Sequence, residues 1–151
     1  MPINETYESE LAFQADRRRA TVEFIKIISD LWYDKSIELV LFRNHLIDRN
    51  VSEILNLHEY AGEFVQKPIS IFDSVEIAKA INTLDLPPAK LDIGKLANEW
   101  ISSNQQTTAT AFLKEKLAGF DQGEHAKFDP RDVILYGFGR IGRNYIRVLQ
   151  D

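Results

Sequence analysis

Gly137-Phe138-Gly139-Arg140-Ile141-Gly142 is the segment whose residue types and spacing point most directly to chemistry, a complete G-x-G-x-x-G pattern. An apolar run, Val133-Ile134-Leu135-Tyr136, precedes it, and a helix-like stretch from Ile141 to Leu149 follows. Strand, glycine turn and helix are the three parts of a dinucleotide phosphate site. Gly137 permits the tight turn, Gly139 leaves room for a pyrophosphate against the backbone, and Gly142 lets strand and helix pack closely. Unpaired amides and the helix dipole at the helix start add partial positive charge, which suits an anion. Arg140 and Arg143 add cationic character.

The flanks fit this reading better than a purely structural turn. Val133 to Leu135 has the aliphatic continuity of a strand buried on both faces. Ile141, Tyr145, Val148 and Leu149 give the helix one apolar face. The acidic residue that binds the ribose belongs about 20 residues beyond the glycines. The sequence runs only nine residues past Gly142, so the expected unit is incomplete, a half-site without tight affinity for a whole dinucleotide.

Other chemistry is sparse. With no cysteine, the chain has no thiol nucleophile, disulfide or Cys-ligated zinc. His45, His58 and His125 have no ligand spacing, so no metal site and no catalytic residue are assigned. His45 and His58 are expected on helix surfaces or in one satisfied hydrogen bond. Glu59 and Glu63 share a helix face as a solvated pair. Trp32, Tyr33 and Trp100 could anchor a partner, but aromatics beside an apolar stripe more often belong to a core. Arg17-Arg18-Arg19 spans about 200° of a helix, so the three cannot all face one ligand. They read as a solvated face, with one arginine paired to Asp16 or Glu23, rather than as a nucleic-acid site.

The elements that must carry these residues are mostly helical. The 151 residues have 44% hydrophobic and 27% charged content and a net charge of −5, ordinary for a soluble domain and without a field for nucleic acid or an anionic membrane. No signal segment and no membrane span is legible, so a cytoplasmic location is expected. Glu5 to Trp32 predicts one helix, buried along Phe13, Ala20, Phe24, Ile27, Ile28 and Leu31. Ser36 to Asp48 is apolar nearly all round, so periodicity does not separate a buried helix from a strand; its thirteen residues without Gly or Pro favour helix. Asn50 and Glu53 form a capping box for a helix reaching about Val65, before Pro68. Asp73 and Glu76 predict the next helix start, stapled by Phe72 and Ile77. It carries Ile77, Ala80, Ile81 and Leu84 inward and ends before Pro87. Further helices are expected over Lys90 to Ser102, with Gly94 a soft point, and over Thr108 to Ala118.

The resulting division is a helical region (1–119), a linker (120–131) and the start of a Rossmann domain (132–151). The fold class is thus mostly α, a multi-helix region followed by the first β-α unit of a doubly wound α/β domain.

Gly137 to Arg143 resembles the opening of the nucleotide-binding domain of glyceraldehyde-3-phosphate dehydrogenases, usually Asn-Gly-Phe-Gly-Arg-Ile-Gly-Arg, with Tyr136 in place of the Asn. Glu10 to Phe24 and Ser36 to Arg43 resemble the N-terminal extension of a long bacterial form. The resemblance implies NAD or NADP as cofactor of the parent enzyme, with backbone around Arg140 and Ile141 on the pyrophosphate. It also implies a catalytic Cys–His pair and a substrate phosphate site beyond these residues, so this chain alone is not expected to be active. Its partners would be the remainder of the dehydrogenase or other subunits, in a homo-oligomer, with no nucleic acid or membrane. The alternative is a stand-alone helical interaction or oligomerisation module without catalysis.

Overall fold

The computed structural model describes residues 2–63 and 65–121. The predicted βα unit at 132–151, most of the predicted linker and His125 lie outside them.

Helix α1 (Pro2–Lys35) runs 34 residues, with no glycine or proline after its first position to break it. Phe24, Ile27, Ile28 and Leu31 are buried along one face, as their spacing predicts, whereas Phe13 is half exposed (49%). Residues 5–16 are exposed all round.

The segment after α1 departs from the expected helix. Ser36 takes a positive φ of 55° and ends α1, and β1 (Ile37–Leu41) follows, joined to the short β2 (Asn44–His45). Phe42 and Arg43, at φ 45° and 74°, make the two-residue turn between them. Such turns usually carry Asn or Gly, so nothing at these positions announced a hairpin. The apolar pattern does not alternate because β1 is the central strand and Val40, on its second face, is buried along with Ile37, Leu39 and Leu41, leaving Glu38 partly exposed. Its order in the sheet is β2-β1-β3, with β3 (Ala89–Asp92) parallel to β1 in the register Ile37↔Ala89 to Val40↔Asp92. β2 pairs antiparallel, Val40 with His45.

Helix α2 (Val51–Glu63) starts with the expected capping box. Glu53 N donates to Asn50 Oδ1 (3.0 Å), and Asn50 N donates to Glu53 Oε2 (2.9 Å). Helix α3 (Ile71–Thr83) begins one turn earlier than expected. Ser70 is its N-cap and Asp73 is the third helical residue, with Asp73 N donating to Ser70 Oγ at 3.1 Å and Ser70 N to Asp73 Oδ2 at 3.3 Å. Both Ser70 and Asp73 open a box by sequence, and burial of Ile69 and Ile71 selects the earlier one. The staple at Phe72 and Ile77 is therefore not formed. Phe72 lies near Phe13, ring centroids 6.1 Å apart, while Ile77 is fully buried.

Helix α3 is the centre of the molecule. Ile71, Ser74, Val75, Ile77, Ala78, Ala80 and Ile81 are all buried, covering most of its circumference, against α1, α4 and α5. Its C-terminal end is held from α1, where Lys35 Nζ donates to the carbonyls of Asn82 and Leu84. A cation on these orphan carbonyls also favours the helix dipole.

The predicted helix at Lys90 starts late, because residues through Asp92 extend to pair with β1. Helix α4 (Ile93–Ser102) follows with Asp92 as N-cap. Asp92 Oδ1 accepts both Lys95 N (3.2 Å) and Phe42 N (3.0 Å), tying the hairpin turn to α4. Helix α5 (Ala109–Lys116) is capped by Thr108, and α6 (Ala118–Asp121) is one further turn.

Gly94 is a point of close approach rather than a soft spot. A Cβ there would stand 2.9 Å from Phe42 Cε2 and 3.0 Å from Leu41 Cδ1. Gly94→Ala is therefore expected to cost about 1–3 kcal/mol by overpacking, despite the roughly 1 kcal/mol that alanine gains in a helix. A thermal melt checks this, and a raised Tm would show that the Phe42 ring yields.

Candidate functional site

Among the described residues, the polar chemistry is concentrated where α1, α2 and α3 meet. His58 on α2 is buried (6% exposed), and Ser74 on α3 is fully buried. His58 Nδ1 lies 2.8 Å from Ile54 O, a carbonyl that only accepts, so this nitrogen carries the proton. Nε2 is then the acceptor and takes the hydroxyl of Ser74 at 2.8 Å. Burial pushes the His58 imidazole below its ordinary pKa of 6.5. Its bond to Ile54 opposes the shift, and the charge of Arg17 adds to it.

A serine hydroxyl on a neutral imidazole is the pairing used by activated nucleophiles. Here both groups are sealed from solvent, and no substrate atom could reach Ser74 Oγ. The arrangement is a satisfied polar bridge between α2 and α3. His58 thus makes two buried hydrogen bonds instead of lying on a helix surface. No buried side-chain polar atom lacks a partner among the described residues.

His45 sits on β2, not on a helix, beside Glu38, which also pairs with Lys90 at 3.3 Å across the sheet. Of the arginines, Arg19 pairs with Asp16 (3.3 Å) as expected. Arg17 instead approaches Gln14 (3.2 Å) and Glu59 of α2 (3.9 Å). Glu23 pairs with Lys79 of α3 at 3.0 Å. Trp100 is core, its indole N–H donating to Thr107 O at 2.9 Å, while Tyr33 is 71% exposed. No group of three His, Cys, Asp or Glu among the described residues is placed to hold a metal ion. None of their helices is long and apolar enough to cross a membrane.

Open clefts lie among the described residues. One, of about 470 Å³, lies between the end of α4 and α5 beside Thr107, Phe112 and Lys116. Another, of about 330 Å³, is lined by Asn44, Arg49, Glu53 and Tyr60, and its arginine is engaged with Glu53 (3.4 Å) and His45 O (3.2 Å). The first also has Ser103 and Glu115 on its wall, but Ser103 Oγ donates to Trp100 O and Lys116 is paired with Glu99, so no hydroxyl is shown on a base there. The predicted cofactor-binding residues, Gly137, Phe138, Gly139, Arg140, Ile141 and Gly142, lie outside the described residues.

No family model matches the chain. A glyceraldehyde-3-phosphate dehydrogenase-like protein of Pseudomonas aeruginosa (strain UCBPP-PA14) is 30% identical to it over 130 residues. The chain is related to that protein. The match takes in 83% of this chain, and the chain spans 28% of the length of the relative. The glycine-turn unit from residue 132 contains only 20 residues, so most of the match to the dehydrogenase-like protein falls on the helical region. The relationship is therefore carried largely by the residues that build α1 to α6, and not by a short nucleotide motif.

Proposed function

We propose that this chain is the N-terminal part of an NAD(P)-dependent, phosphorylating glyceraldehyde-3-phosphate dehydrogenase, with the helical region as an extension ahead of the dinucleotide-binding domain. The observation that carries this reading is the similarity to the dehydrogenase-like protein across the helical region. The Gly137–Arg143 string points the same way. In this reading the backbone amides of Gly137 to Gly142 bind the cofactor pyrophosphate. A bound nicotinamide would supply the hydride acceptor, while the thiol and base for acyl transfer come from sequence beyond these residues. The chain's own task is phosphate binding at the glycine turn.

The test is expression of the chain together with the sequence that follows it in its gene. Glyceraldehyde-3-phosphate and inorganic phosphate should reduce NAD or NADP, and omission of phosphate should abolish steady turnover. Gly139→Val should weaken cofactor binding at least tenfold by occupying the pyrophosphate's place. Absence of cofactor binding in the longer protein would overturn the reading. The alternative, a stand-alone helical interaction or oligomerisation module without catalysis, is favoured by the exposed Tyr7, Leu11, Val22 and Tyr33 of α1.

A further inference from the structure

Polar groups from all three strands meet on one face of the sheet. Side chains alternate along a strand, so Glu38 and Val40 of β1 share the face opposite Ile37, Leu39 and Leu41. His45 of β2 pairs with Val40, and Lys90 of β3 pairs with Glu38, which puts both on that face. Glu38 is their shared partner. One carboxylate oxygen meets His45 Nδ1, and the other meets Lys90 Nζ at 3.3 Å. The Glu38 side chain is 18% exposed and that of His45 59%. A carboxylate only accepts, so Nδ1 of the neutral imidazole donates and the lone pair is on Nε2. Nε2 has no hydrogen-bond partner among the described residues. Arg49 Nε donates to His45 O at 3.2 Å, which fixes the strand that carries the ring. His58 has the same tautomer, but its Nε2 takes the Ser74 hydroxyl and is sealed. His45 is its exposed counterpart.

We propose that His45 is a phosphoryl acceptor, modified on Nε2 by acyl phosphates. The neutral imidazole attacks phosphorus and the Nε2–P bond forms. The phosphorus–oxygen bond to the acyl group breaks, and its electron pair leaves on the carboxylate. Nothing is oxidised or reduced. The ring gains positive charge as it attacks, and the proton stays on Nδ1 against Glu38, whose carboxylate stabilises that charge. Glu38 is thus a positioning residue. Lys90, on its other oxygen, brings a cation toward the incoming phosphate, and its exposed pair is readily exchanged. The other acid on this face, Asp92, lies opposite Val40, and its Oδ1 is taken by the amides of Phe42 and Lys95. Acyl phosphate is the donor class that fits. Transfer from a nucleoside triphosphate relies on bound metal ions and a phosphate cradle. No group of acids and histidines among the described residues is placed to hold a metal. An acyl phosphate carries its own good leaving group and needs neither. The inference stands on this sheet face and does not depend on the dehydrogenase reading.

The test is incubation of the whole chain with acetyl phosphate at about pH 8, where an ordinary imidazole is neutral. Sites are mapped by mass spectrometry without acid, because phosphohistidine is acid-labile, and phosphorus NMR should place the group on Nε2. His45 should be labelled about tenfold faster in the folded chain than in the same chain unfolded in urea, a comparison that needs no variant. His58 should react only in urea. Glu38→Gln keeps an acceptor for Nδ1 but loses the charge, and it should slow labelling about tenfold. Glu38→Asp should recover part of the rate, with circular dichroism confirming that both variants fold. Three results would each overturn the proposal. They are His45 labelled no faster than in urea, acetylated lysines with no phosphoryl group on His45, and a rate indifferent to Glu38→Gln.

Discussion

Replacing Phe24 with alanine is expected to lower the unfolding free energy by about 3–5 kcal/mol, the range for deleting a fully buried aromatic ring. Phe24 has no exposed surface and packs where α1 meets α2, its ring edge-on to His58 at a centroid distance of 6.0 Å. Exposed ion pairs also join the elements around it. Arg17 reaches Glu59 on one side, and Lys79 reaches Glu23 on the other. Phe24→Leu fills most of the volume and should cost markedly less. Denaturant midpoints at constant m-value give the comparison. A loss under about 1 kcal/mol would mean that the helices collapse into the space, contrary to the usual partial relaxation of cores.

Acidification should destabilise the chain through His58. The native state holds this imidazole neutral, with its pKa lowered from 6.5, chiefly by burial. The unfolded chain takes up a proton near 6.5, before the folded one does. Stability is therefore unchanged by this group above about pH 6.5 and falls as pH drops from there toward the lowered folded value. The slope reaches at most about 1.4 kcal/mol per pH unit for one proton. Protonation would also place a second donor against Ser74 and a charge beside Arg17, whose nearest carboxylate is Glu59 at 3.9 Å. His58→Gln should lose much of the dependence between pH 6.5 and 5, because an amide does not titrate. Melting temperatures of the two proteins across this range are the check, and parallel curves would remove His58 as the source. Glu53, held below its ordinary 4.5 chiefly by the Asn50 amide, acts in a separate and lower window.

What was legible in the sequence follows from the range of each interaction. The α1 periodicity and the Asn50–Glu53 box depend on residues within one or two turns; the box is present as read, and the buried face holds from Phe24 to Leu31 but not at Phe13. The hairpin at Ile37 to His45 was not legible, since Phe42 and Arg43 are not the residues that favour positive φ. Its turn is held instead by Asp92, fifty residues away. The same long-range partner turned Ala89–Asp92 into a strand, where local preference suggested helix. The Ser70 start of α3 was decided by Ile69 and Ile71 entering the core, a choice between two equally good local boxes.

By itself, the sequence determined that this chain is mostly helical, which face of α1 from Phe24 to Leu31 is buried, and that Gly137 to Gly142 carries the G-x-G-x-x-G spacing. Those conclusions rest on spacing along a single segment, where backbone geometry fixes which side chains meet. Only the tertiary structure decided that a three-stranded sheet runs through the helical region and that His58 is sealed against Ser74 rather than displayed on a surface. It also decided that residues 5–16 of α1 stay exposed, with Phe13 among them lying near Phe72 of α3. Burial and strand pairing join residues tens of positions apart, and such contacts leave no local pattern in the chain.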